Sequence, residues 1–252
     1  MKYYRRLEAF KAISFDLDDT LYSNYPVMLA TDAKMVAYFS EFFSSQLLLA
    51  YLPKDTVFDH QFWWPFRQQA LKMNPSLIHH VGEARLATYN IGLKALGLND
   101  DAAEQAAKDA LRYFEQQRSD FIVPVEVHQL LNVLQKKYPL VAISNGNVDT
   151  DKIGISKYFQ YRFHAGDLAT KPSGERTQLR QKPHADMFKL ACDKLAIAPE
   201  QLLHIGDCGR ADIQGALLAG CQAAWFPYYG VGKPISVLPH IELDKLIQLE
   251  QL

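Results

Sequence analysis

The sequence has few cysteines, almost no net charge and no long apolar run. Its three cysteines, Cys192, Cys208 and Cys221, form no CxxC pair, so neither a disulfide framework nor a structural zinc site is indicated. The 27 basic and 28 acidic side chains leave a net charge of −1, which gives no electrostatic reason to expect nucleic acid or an anionic membrane as a partner. No stretch approaches the roughly 18 consecutive apolar residues that would span a bilayer. Free thiols are typical of a reducing compartment, so we predict a cytoplasmic protein.

The chain does contain an alternation of short apolar runs and helical patterns. The apolar runs end in polar or glycine-containing turns, as buried strands of a parallel sheet do. The predicted strands are Ala12–Phe15, Leu140–Ile143, Tyr161–His164, Leu202–Ile205 and Gln222–Phe226. The predicted helices between them are Glu126–Lys137, His184–Leu195 and Asp212–Ala219. This order predicts an α/β fold with a Rossmann-like parallel sheet as its core.

A long stretch after the first strand interrupts this alternation. It is rich in aromatic residues and mostly helical by pattern. Two helical segments are predicted there, Asp101–Gln117 and an aromatic segment over Phe62–Met73 that Pro65 interrupts. We therefore predict a core formed by residues 1–22 and 119–252, into which residues 23–118 are inserted as a helical cap.

The most informative motif is the acidic turn that follows the first predicted strand. Asp16, Asp18 and Asp19 occupy three of four consecutive positions directly after Phe15. In an open α/β sheet, ligands bind beyond the carboxyl ends of the strands. Carboxylates gathered there repel one another, and a hard divalent cation with its preference for carboxylate oxygen would relieve that repulsion. An ordinary solvated turn is the alternative, but three acids in four positions disfavour it.

Two further strands end in groups of the same kind. Ser144-Asn145-Gly146-Asn147 offers a hydroxyl, an amide and a glycine, which suit phosphate oxygens, although alone it would be an ordinary turn. Gly206-Asp207 ends another strand, and Asp212 follows five residues later. For Asp212, capping of the next helix and support of a metal are equally good interpretations.

Two lysines precede prolines and could oppose these acidic groups. Lys182 leads directly into a predicted helix, so its position is fixed by structure. Lys171 begins the polar, turn-rich segment Pro172–Gln181, which we expect to form a loop. We favour Lys182 as the cation of the site.

Together these segments resemble the haloacid dehalogenase superfamily. The motifs, in that superfamily's order, are Asp16-x-Asp18-x-Thr20, Ser144, Lys182-Pro183 with Phe188, and Gly206-Asp207 with Asp212. The resemblance covers the whole chain, because the helical insertion falls where the superfamily has its C1-type cap. It implies a magnesium-dependent phosphatase that forms an aspartyl-phosphate.

The resemblance also implies roles for individual residues. Asp16 would be the nucleophile, and Asp18 would be the general acid and base. Mg²⁺ would be held by Asp16, the main-chain carbonyl of Asp18 and Asp207, with Asp212 in support. The implied phosphate-binding residues are Thr20, Ser144, Asn145 and Lys182.

Within the superfamily, the chain looks like the bacterial flavin mononucleotide phosphatases. The matching segments are Tyr3-Tyr4-Arg5, residues 15–22, residues 142–147, and Lys182-Pro183 with Asp186-Met187. That group also dephosphorylates 5-amino-6-(5-phospho-D-ribitylamino)uracil, so the implied partner is a small phosphorylated metabolite. Two features depart from the group: the segment between Gly166 and Lys182 is longer, and Cys208 stands where an acidic residue is common.

Other functions fit parts of the same pattern. A haloalkanoate dehalogenase needs a nucleophilic aspartate but no acid two residues further on and no metal, so Asp18 argues against it. A phosphomutase would use the same site. A phospho-accepting signalling module or an inactive binding protein belongs to a different class, and the long insertion and the full set of charged residues argue against these.

Aromatic residues of the insertion and its flank are candidate substrate contacts. Tyr22, Trp63, Trp64 and Tyr89 could stack on a flavin or pyrimidine ring, although aromatic residues at helical spacing more often pack in a core. His204 lies inside an apolar strand, which is typical of a core histidine whose hydrogen bonds are satisfied. The oligomeric state cannot be inferred from the sequence.

Overall fold

The chain divides into two compact units. The structure is a computed structural model that describes residues 1–44, 52–53, 55–170, 174 and 176–252. The first unit comprises residues 1–24 and 122–252, and the second comprises residues 25–121. Lys171, the alternative to Lys182, lies outside the described residues. The described helices include none with the length and apolar character of a membrane span.

The first unit is built on a seven-stranded sheet. Its strands are β1 (Lys2–Tyr3), β2 (Ala12–Phe15), β3 (Leu140–Ser144), β4 (Tyr161–His164), β7 (Leu202–Gly206), β8 (Gln222–Trp225) and β9 (Ile241–Glu242). Their order across the sheet is β1-β9-β8-β7-β2-β3-β4, and only the β1–β9 pair is antiparallel. All five predicted strands are therefore confirmed, and so is the predicted α/β class. The short strands β1 and β9, at one side of the sheet, were not predicted.

The register of the central strands brings their carboxyl ends to one edge of the sheet. Ile13 of β2 lies opposite Leu140 of β3 and Leu203 of β7. The amide of Asp16 then donates to the carbonyl of Ile205 at 2.9 Å, which extends the β2–β7 pairing by one residue. Every residue of β2, β3 and β7 is buried, as expected for strands covered on both faces.

Helices pack against this sheet. They are α5 (Val125–Leu134), α6 (Asp186–Leu195) and the short α7 (Gly215–Leu218). The helix predicted over Asp212–Ala219 is wrong in its first part, because Gly209–Gln214 forms a wider π-helical turn. Within that turn the amide of Ile213 donates to the carbonyl of Cys208, five residues back, at 3.3 Å. The side chain of Asp212 accepts from the amide of Cys208 at 2.9 Å.

The predicted loop over Pro172–Gln181 is also wrong in part. Residues Arg176–Gln178 form strand β6, which pairs in antiparallel register with β5 (Leu168–Thr170). The sequence gives no signal of this hairpin, because each strand is only three residues long, is largely exposed and forms no apolar run. Residues 172, 173 and 175 of that segment lie outside the described residues.

The second unit is helical. It contains α1 (Asn24–Ser44, which begins in the first unit), α2 (His60–Met73), α3 (Val81–Ala95) and α4 (Asp100–Arg118). Helix α2 runs through Pro65, contrary to the predicted interruption. Proline removes one backbone hydrogen bond from the helix. The start of the helix is stabilised by Asp59, whose carboxylate accepts from two backbone amides at 2.9 and 3.0 Å.

An aromatic cluster forms the core of this second unit. The rings of Phe39, Phe43, Trp63 and Tyr89 are buried, and neighbouring ring centroids lie 4.4 to 6.3 Å apart. Burial of such a ring stabilises the fold by about 2 kcal/mol, and favourable ring geometry adds to it. Gly92 allows α3 to approach closely, because a Cβ there would overlap the Trp63 ring.

Phe39→Ala should destabilise the second unit by about 3 to 5 kcal/mol, because the truncation leaves a cavity among rings that cannot collapse into it. Tyr25→Ala on the same helix is the matched control, since Tyr25 is 69% exposed and its loss should cost about 0.5 kcal/mol or less. Denaturant unfolding followed by circular dichroism measures both. Similar losses in the two variants would contradict the packing described here.

Candidate active site

The turn after β2 carries three of the predicted residues. Asp19 has a φ of 57°, a left-handed conformation that aspartate tolerates better than most residues do. Its amide donates to the carbonyl of Tyr22 at 2.8 Å, and its carboxylate accepts from the amide of Asn24 at 2.8 Å. These bonds close the turn and hold Asp16 and Asp18 at the edge of the sheet.

Lys182 is the centre of the site. Its ammonium group donates to Asp16 Oδ1 at 2.5 Å and to the carbonyl of Ile143 at 2.7 Å, and it pairs with Asp212 Oδ1 at 2.7 Å. The side chain is buried. A buried charge is tolerated only with such partners. One lysine thus links the turns that follow β2 and β7 to the end of β3.

Burial and charge set the ionisation of this cluster. Burial by itself lowers the pKa of Lys182, but the carboxylates of Asp16 and Asp212 outweigh it and raise that pKa. Burial likewise acts to raise the pKa of Asp212, yet the Lys182 ammonium and the His204 ring hold it below its usual value. Burial raises the pKa of Asp16, and the Asp212 and Asp207 carboxylates add to the effect. Lys182 is therefore charged in the folded state.

Three carboxylates converge in a way that suits a divalent cation. Asp16, Asp207 and Asp212 each offer one oxygen, and these atoms lie within 4.8 Å of one another. Burial raises the pKa of Asp207 to about 7, and repulsion from Asp212 and Asp19 contributes. Such crowding is unfavourable without a cation, and carboxylate oxygen is the ligand type that Mg²⁺ prefers. The donor set therefore fits a divalent metal ion.

The end of β3 supplies uncharged polar groups. Ser144 Oγ accepts from the amide of Gly146 at 3.0 Å. The side chain of Asn145 is tied to the backbone of Lys182 by two hydrogen bonds, of 2.7 and 3.1 Å. Gly146 is required by space, because a Cβ there would overlap the carboxylate of Asp18.

Two hydroxyl groups contact the aspartates of the turn. Tyr22 Oη donates to Asp18 Oδ1 at 2.8 Å, and Thr20 Oγ1 donates to Asp16 Oδ2 at 3.4 Å. Both Tyr22 and Thr20 are buried. They therefore position carboxylates rather than line open space.

Most of the predicted site residues line one cavity of about 230 Å³. It is lined by Asp16, Asp18, Ser144, Asn145, Gly146, Lys182, Asp207, Cys208, Ala211 and Asp212. Thr20 and Tyr22 lie behind this lining. Trp63, Trp64 and Tyr89 are not part of it, since they line a separate cavity within the second unit.

The structure adds a buried histidine to the cluster. The ring of His204 contacts Ser14 Oγ through Nδ1 at 2.9 Å and Asp212 Oδ1 through Nε2 at 3.2 Å. The prediction of a core histidine with satisfied hydrogen bonds is confirmed. Burial lowers the pKa of His204, so a neutral ring orients Asp212. The contact between His204 and Asp212 was not predicted, because no local sequence pattern indicates it.

Two other residues near Asp207 were also missed. Trp225 donates from its ring nitrogen to the carbonyl of Asp207 at 2.7 Å. A Cβ at Gly232 would overlap the carboxylate of Asp207, so the segment after β8 passes very close to it. A lone glycine in a polar loop gives no signal of this kind in the sequence.

Comparisons with known proteins decide the family. A model described as hydrolase, haloacid dehalogenase-like hydrolase, matches residues 10–220. The chain belongs to the haloacid dehalogenase-like hydrolase family. This membership confirms the resemblance found in the motifs, and it confirms that the chain is a hydrolase.

Similar proteins include several with named activities. The 5-amino-6-(5-phospho-D-ribitylamino)uracil phosphatase YigB of Escherichia coli (strain K12) is 34% identical over 256 residues and is covered over its full length, as is this chain. A phosphoglycolate phosphatase of the same organism is 24% identical, over 92% of this chain and 87% of the relative.

Solved structures of the haloacid dehalogenase-like hydrolase family are also similar. A 2-haloacid dehalogenase from Pseudomonas syringae pv. Tomato DC3000 superposes with a TM-score of 0.81 at 27% identity, covering 96% of this chain and 97% of the other. The HAD-hydrolase YfnB from Bacillus subtilis has a TM-score of 0.59 at 18% identity, covering 97% and 98% of the two chains. The second likeness concerns the fold alone.

Lys182→Met should lower the free energy of unfolding by about 3 to 5 kcal/mol in metal-free buffer, because it leaves buried carboxylates without their counter-charge. Lys108→Met is the matched control, since Lys108 is half exposed and pairs with Glu104 at the surface, where loss of the pair should cost at most about 1 kcal/mol. Urea unfolding in the presence of EDTA compares the two. An unchanged midpoint for Lys182→Met would show that this lysine does not hold the cluster together.

Proposed function

We propose that this haloacid dehalogenase-like hydrolase is a magnesium-dependent phosphoric monoester hydrolase. In the proposed reaction, the phosphoryl group of a small metabolite passes to Asp16 and then to water. The observation that carries the proposal is the convergence of Asp16, Asp207 and Asp212 on one cavity, with Lys182 bonded to two of them. The named phosphatases among the relatives support it.

The proposed metal ligands are Asp16, the main-chain carbonyl of Asp18, and Asp207. When bound, Mg²⁺ would offset the repulsion between the anionic nucleophile and the anionic phosphate. Asp212 would act in support, because its two oxygens already accept from Lys182, His204 and the amide of Cys208. Cys208 takes the place of a further acid, and its amide helps to fix Asp212.

Asp16 is the proposed nucleophile. Its Oδ1 is held by Lys182, and Thr20 reaches its Oδ2, so the carboxylate has a defined orientation at the wall of the cavity. Attack of one carboxylate oxygen on phosphorus would form the aspartyl-phosphate as the bond to the leaving oxygen breaks.

Asp18 is the proposed general acid and base. It would protonate the leaving oxygen and then take a proton from the water that hydrolyses the aspartyl-phosphate. The Tyr22 hydroxyl, which donates to Asp18 Oδ1, would fix the carboxyl group so that its other oxygen faces the substrate. Gly146 leaves room for this oxygen.

The proposed phosphate-binding residues are Thr20, Ser144, Asn145 and Lys182. Ser144 and Lys182 line the cavity directly and offer a hydroxyl and an ammonium group to phosphoryl oxygens. Asn145 would act mainly by fixing the backbone of Lys182, and Thr20 by holding Asp16. These roles follow from the bonds that each side chain already makes.

We propose 5-amino-6-(5-phospho-D-ribitylamino)uracil or flavin mononucleotide as the substrate. The support is the full-length similarity to YigB, whose name states the first of these activities, together with the motif resemblance. Residues 23–118 would serve as the cap of the family, with Trp63, Trp64 and Tyr89 as candidate ring contacts. We also propose a cytoplasmic location.

Dehalogenation is the second candidate, since the 2-haloacid dehalogenase from Pseudomonas syringae is structurally similar. Removal of a halide needs neither the acid at position 18 nor a metal. Asp18 and the crowded carboxylates of Asp16 and Asp207 therefore favour phosphate chemistry. Chloride release from 2-chloropropionate without phosphate release would favour the dehalogenase instead.

A phosphomutase or a phospho-accepting signalling module would share the first half of the reaction. Labelled phosphate would return to a sugar in a mutase, whereas it would go to water in the proposed phosphatase. A signalling module would stop near one turnover with p-nitrophenyl phosphate, and an inactive binding protein would release none. Steady release over many turnovers separates the phosphatase from both.

Asp16→Asn should abolish steady phosphate release, because the neutral amide cannot form the acyl-phosphate bond. It should also abolish the acid-labile phosphoenzyme that can be trapped with ³²P-labelled substrate. Asp193→Asn is a matched control on exposed α6 surface and should keep parental activity. Full activity in Asp16→Asn would end the proposal.

Asp18→Asn should reduce kcat by roughly 10²- to 10⁴-fold, because it removes general acid and base catalysis from both steps. Its affinity for Mg²⁺ should change little, since its proposed metal contact is a main-chain carbonyl. Calorimetric titration of Mg²⁺ and quench-flow measurement of dephosphorylation test the two statements separately. Unchanged dephosphorylation in this variant would contradict the assigned base role.

The proposed substrate is tested by ranking phosphorylated metabolites by kcat/KM, with Mg²⁺ present and after its removal with EDTA. The ribitylaminouracil phosphate and flavin mononucleotide should rank highest, with phosphoglycolate well below them, and EDTA should abolish each activity. A flat ranking would refute the substrate assignment while leaving the phosphatase intact. Undiminished turnover in EDTA would refute the metal requirement.

A further inference from the structure

An ion pair closes the short loop that carries Lys182. Arg180 lies two residues after β6, and Asp186 is the first residue of α6. The Arg180 guanidinium donates from Nε to Asp186 Oδ2 and from Nη2 to Asp186 Oδ1, both at 2.9 Å. The backbone amide of Arg180 also donates to Asp186 Oδ2, at 3.1 Å. A charge-assisted pair with two parallel bonds fixes the orientation of its partners as well as their distance.

Both ends of this loop are anchored in the first unit. Leu179, next to Arg180, is buried, and its amide donates to the carbonyl of Asp167 at 2.9 Å. The carbonyl of Leu179 accepts from the amide of Gly166 at 2.7 Å. At the other end, the residues of α6 that follow Asp186 are buried in the core. The ion pair therefore joins two fixed points, and residues 181–185 form the loop between them.

The loop places one buried side chain among exposed ones. Arg180 and His184 lie at the surface, whereas Lys182 is buried. Asn145 bonds to the backbone of Lys182 itself, and the Arg180–Asp186 pair sets the distance between the two ends of the loop. Because a lysine side chain is a flexible chain of four carbons, the position of its backbone decides which acceptors its ammonium group can reach.

The pair is intact at neutral pH. The hydrogen bond from Arg180 lowers the pKa of the Asp186 carboxyl group, although partial burial opposes this effect. Asp186 is therefore charged, and the pair is lost only as the pH falls through this lowered pKa. The Arg180 side chain is 52% exposed, and exposed ion pairs add little to the stability of a whole domain. We therefore expect the effect of this pair to be local.

We propose that Asp186 is a positioning residue, which acts through Arg180 to hold the loop where the Lys182 ammonium group reaches Asp16 and Asp212. The placement of Lys182 is a property of the fold. Only its consequence for catalysis rests on the proposed phosphatase function.

Hydrogen exchange of the Lys182 ammonium group measures this placement without any reaction. In the full chain labelled with ¹⁵N-lysine, a buried ammonium group with three acceptors should give a slowly exchanging NMR signal, identified by its absence from the Lys182→Arg spectrum. Asp186→Ala should accelerate this exchange by about tenfold, because the loop opens more often without its charge-assisted bonds. Asp186→Asn keeps one acceptor oxygen and should accelerate it less. Asp193→Ala, which removes an exposed carboxylate from the last turn of α6, is the matched control and should change nothing.

Two further comparisons separate placement from overall stability. Backbone amides of β3 report opening of the whole unit and should exchange at the parental rate in Asp186→Ala. Arg180→Met should match Asp186→Ala, and the double variant should add no further acceleration, because the two residues act as one unit. Unchanged exchange of Lys182 in Asp186→Ala would overturn the proposal. Equal acceleration of Lys182 and β3 would also overturn it, since the pair would then contribute to overall stability alone.

The catalytic consequence is measured as steady release of p-nitrophenol from p-nitrophenyl phosphate with Mg²⁺. Asp186→Ala should lower kcat by roughly tenfold or more, with a smaller change in KM, because a displaced Lys182 affects the transition state more than substrate binding. A parental kcat in Asp186→Ala would contradict the positioning role. Absence of turnover in the parent protein would refute the proposed function instead, and the exchange of Lys182 would still decide whether Asp186 places it.

Discussion

The buried ammonium group of Lys182 is the interaction on which the candidate site depends. It is bonded at the same time to Asp16, to Asp212 and to the carbonyl of Ile143. Without it, several carboxylates would share a buried space with no counter-charge, which a folded protein does not tolerate. The sheet brings these groups to one edge, and the lysine makes that approach stable.

The same electrostatic constraint accounts for the residues that surround the lysine. The ring of His204 contacts one carboxylate oxygen of Asp212 from inside the sheet, and the amide of Cys208 donates a hydrogen bond to the other. Glycine at position 206 is dictated by space, because a Cβ would overlap the carboxyl group of Asp212. Carboxylates gathered at one edge of a sheet thus need a neutral, closely fitted support behind them. This support leaves the carboxylates oriented toward the cavity.

The strands and the acidic motif were readable from the sequence because both are local. A run such as Leu202–Ile205 is buried along its whole length, and three aspartates in four positions directly after a strand are rarely found in an ordinary solvated turn. The contacts of His204 and Gly232 were not readable, since they join residues that lie far apart or depend on the path of a loop. The β5–β6 hairpin was not predicted because its strands are three residues long and largely exposed. The continuous helix through Pro65 reflects tertiary packing that outweighs one lost hydrogen bond.

The central claim is that Lys182 organises Asp16 as a phosphoryl acceptor beside a divalent cation. A crystal structure of the protein soaked with Mg²⁺ and beryllium fluoride, which mimics a phosphoryl group, tests it directly. The account predicts a fluoroberyllate attached to the Asp16 carboxylate, with Lys182 and Ser144 on its fluorine atoms and Mg²⁺ bound to Asp16 and Asp207. A fluoroberyllate attached to another residue, or Mg²⁺ bound away from these carboxylates, would contradict it.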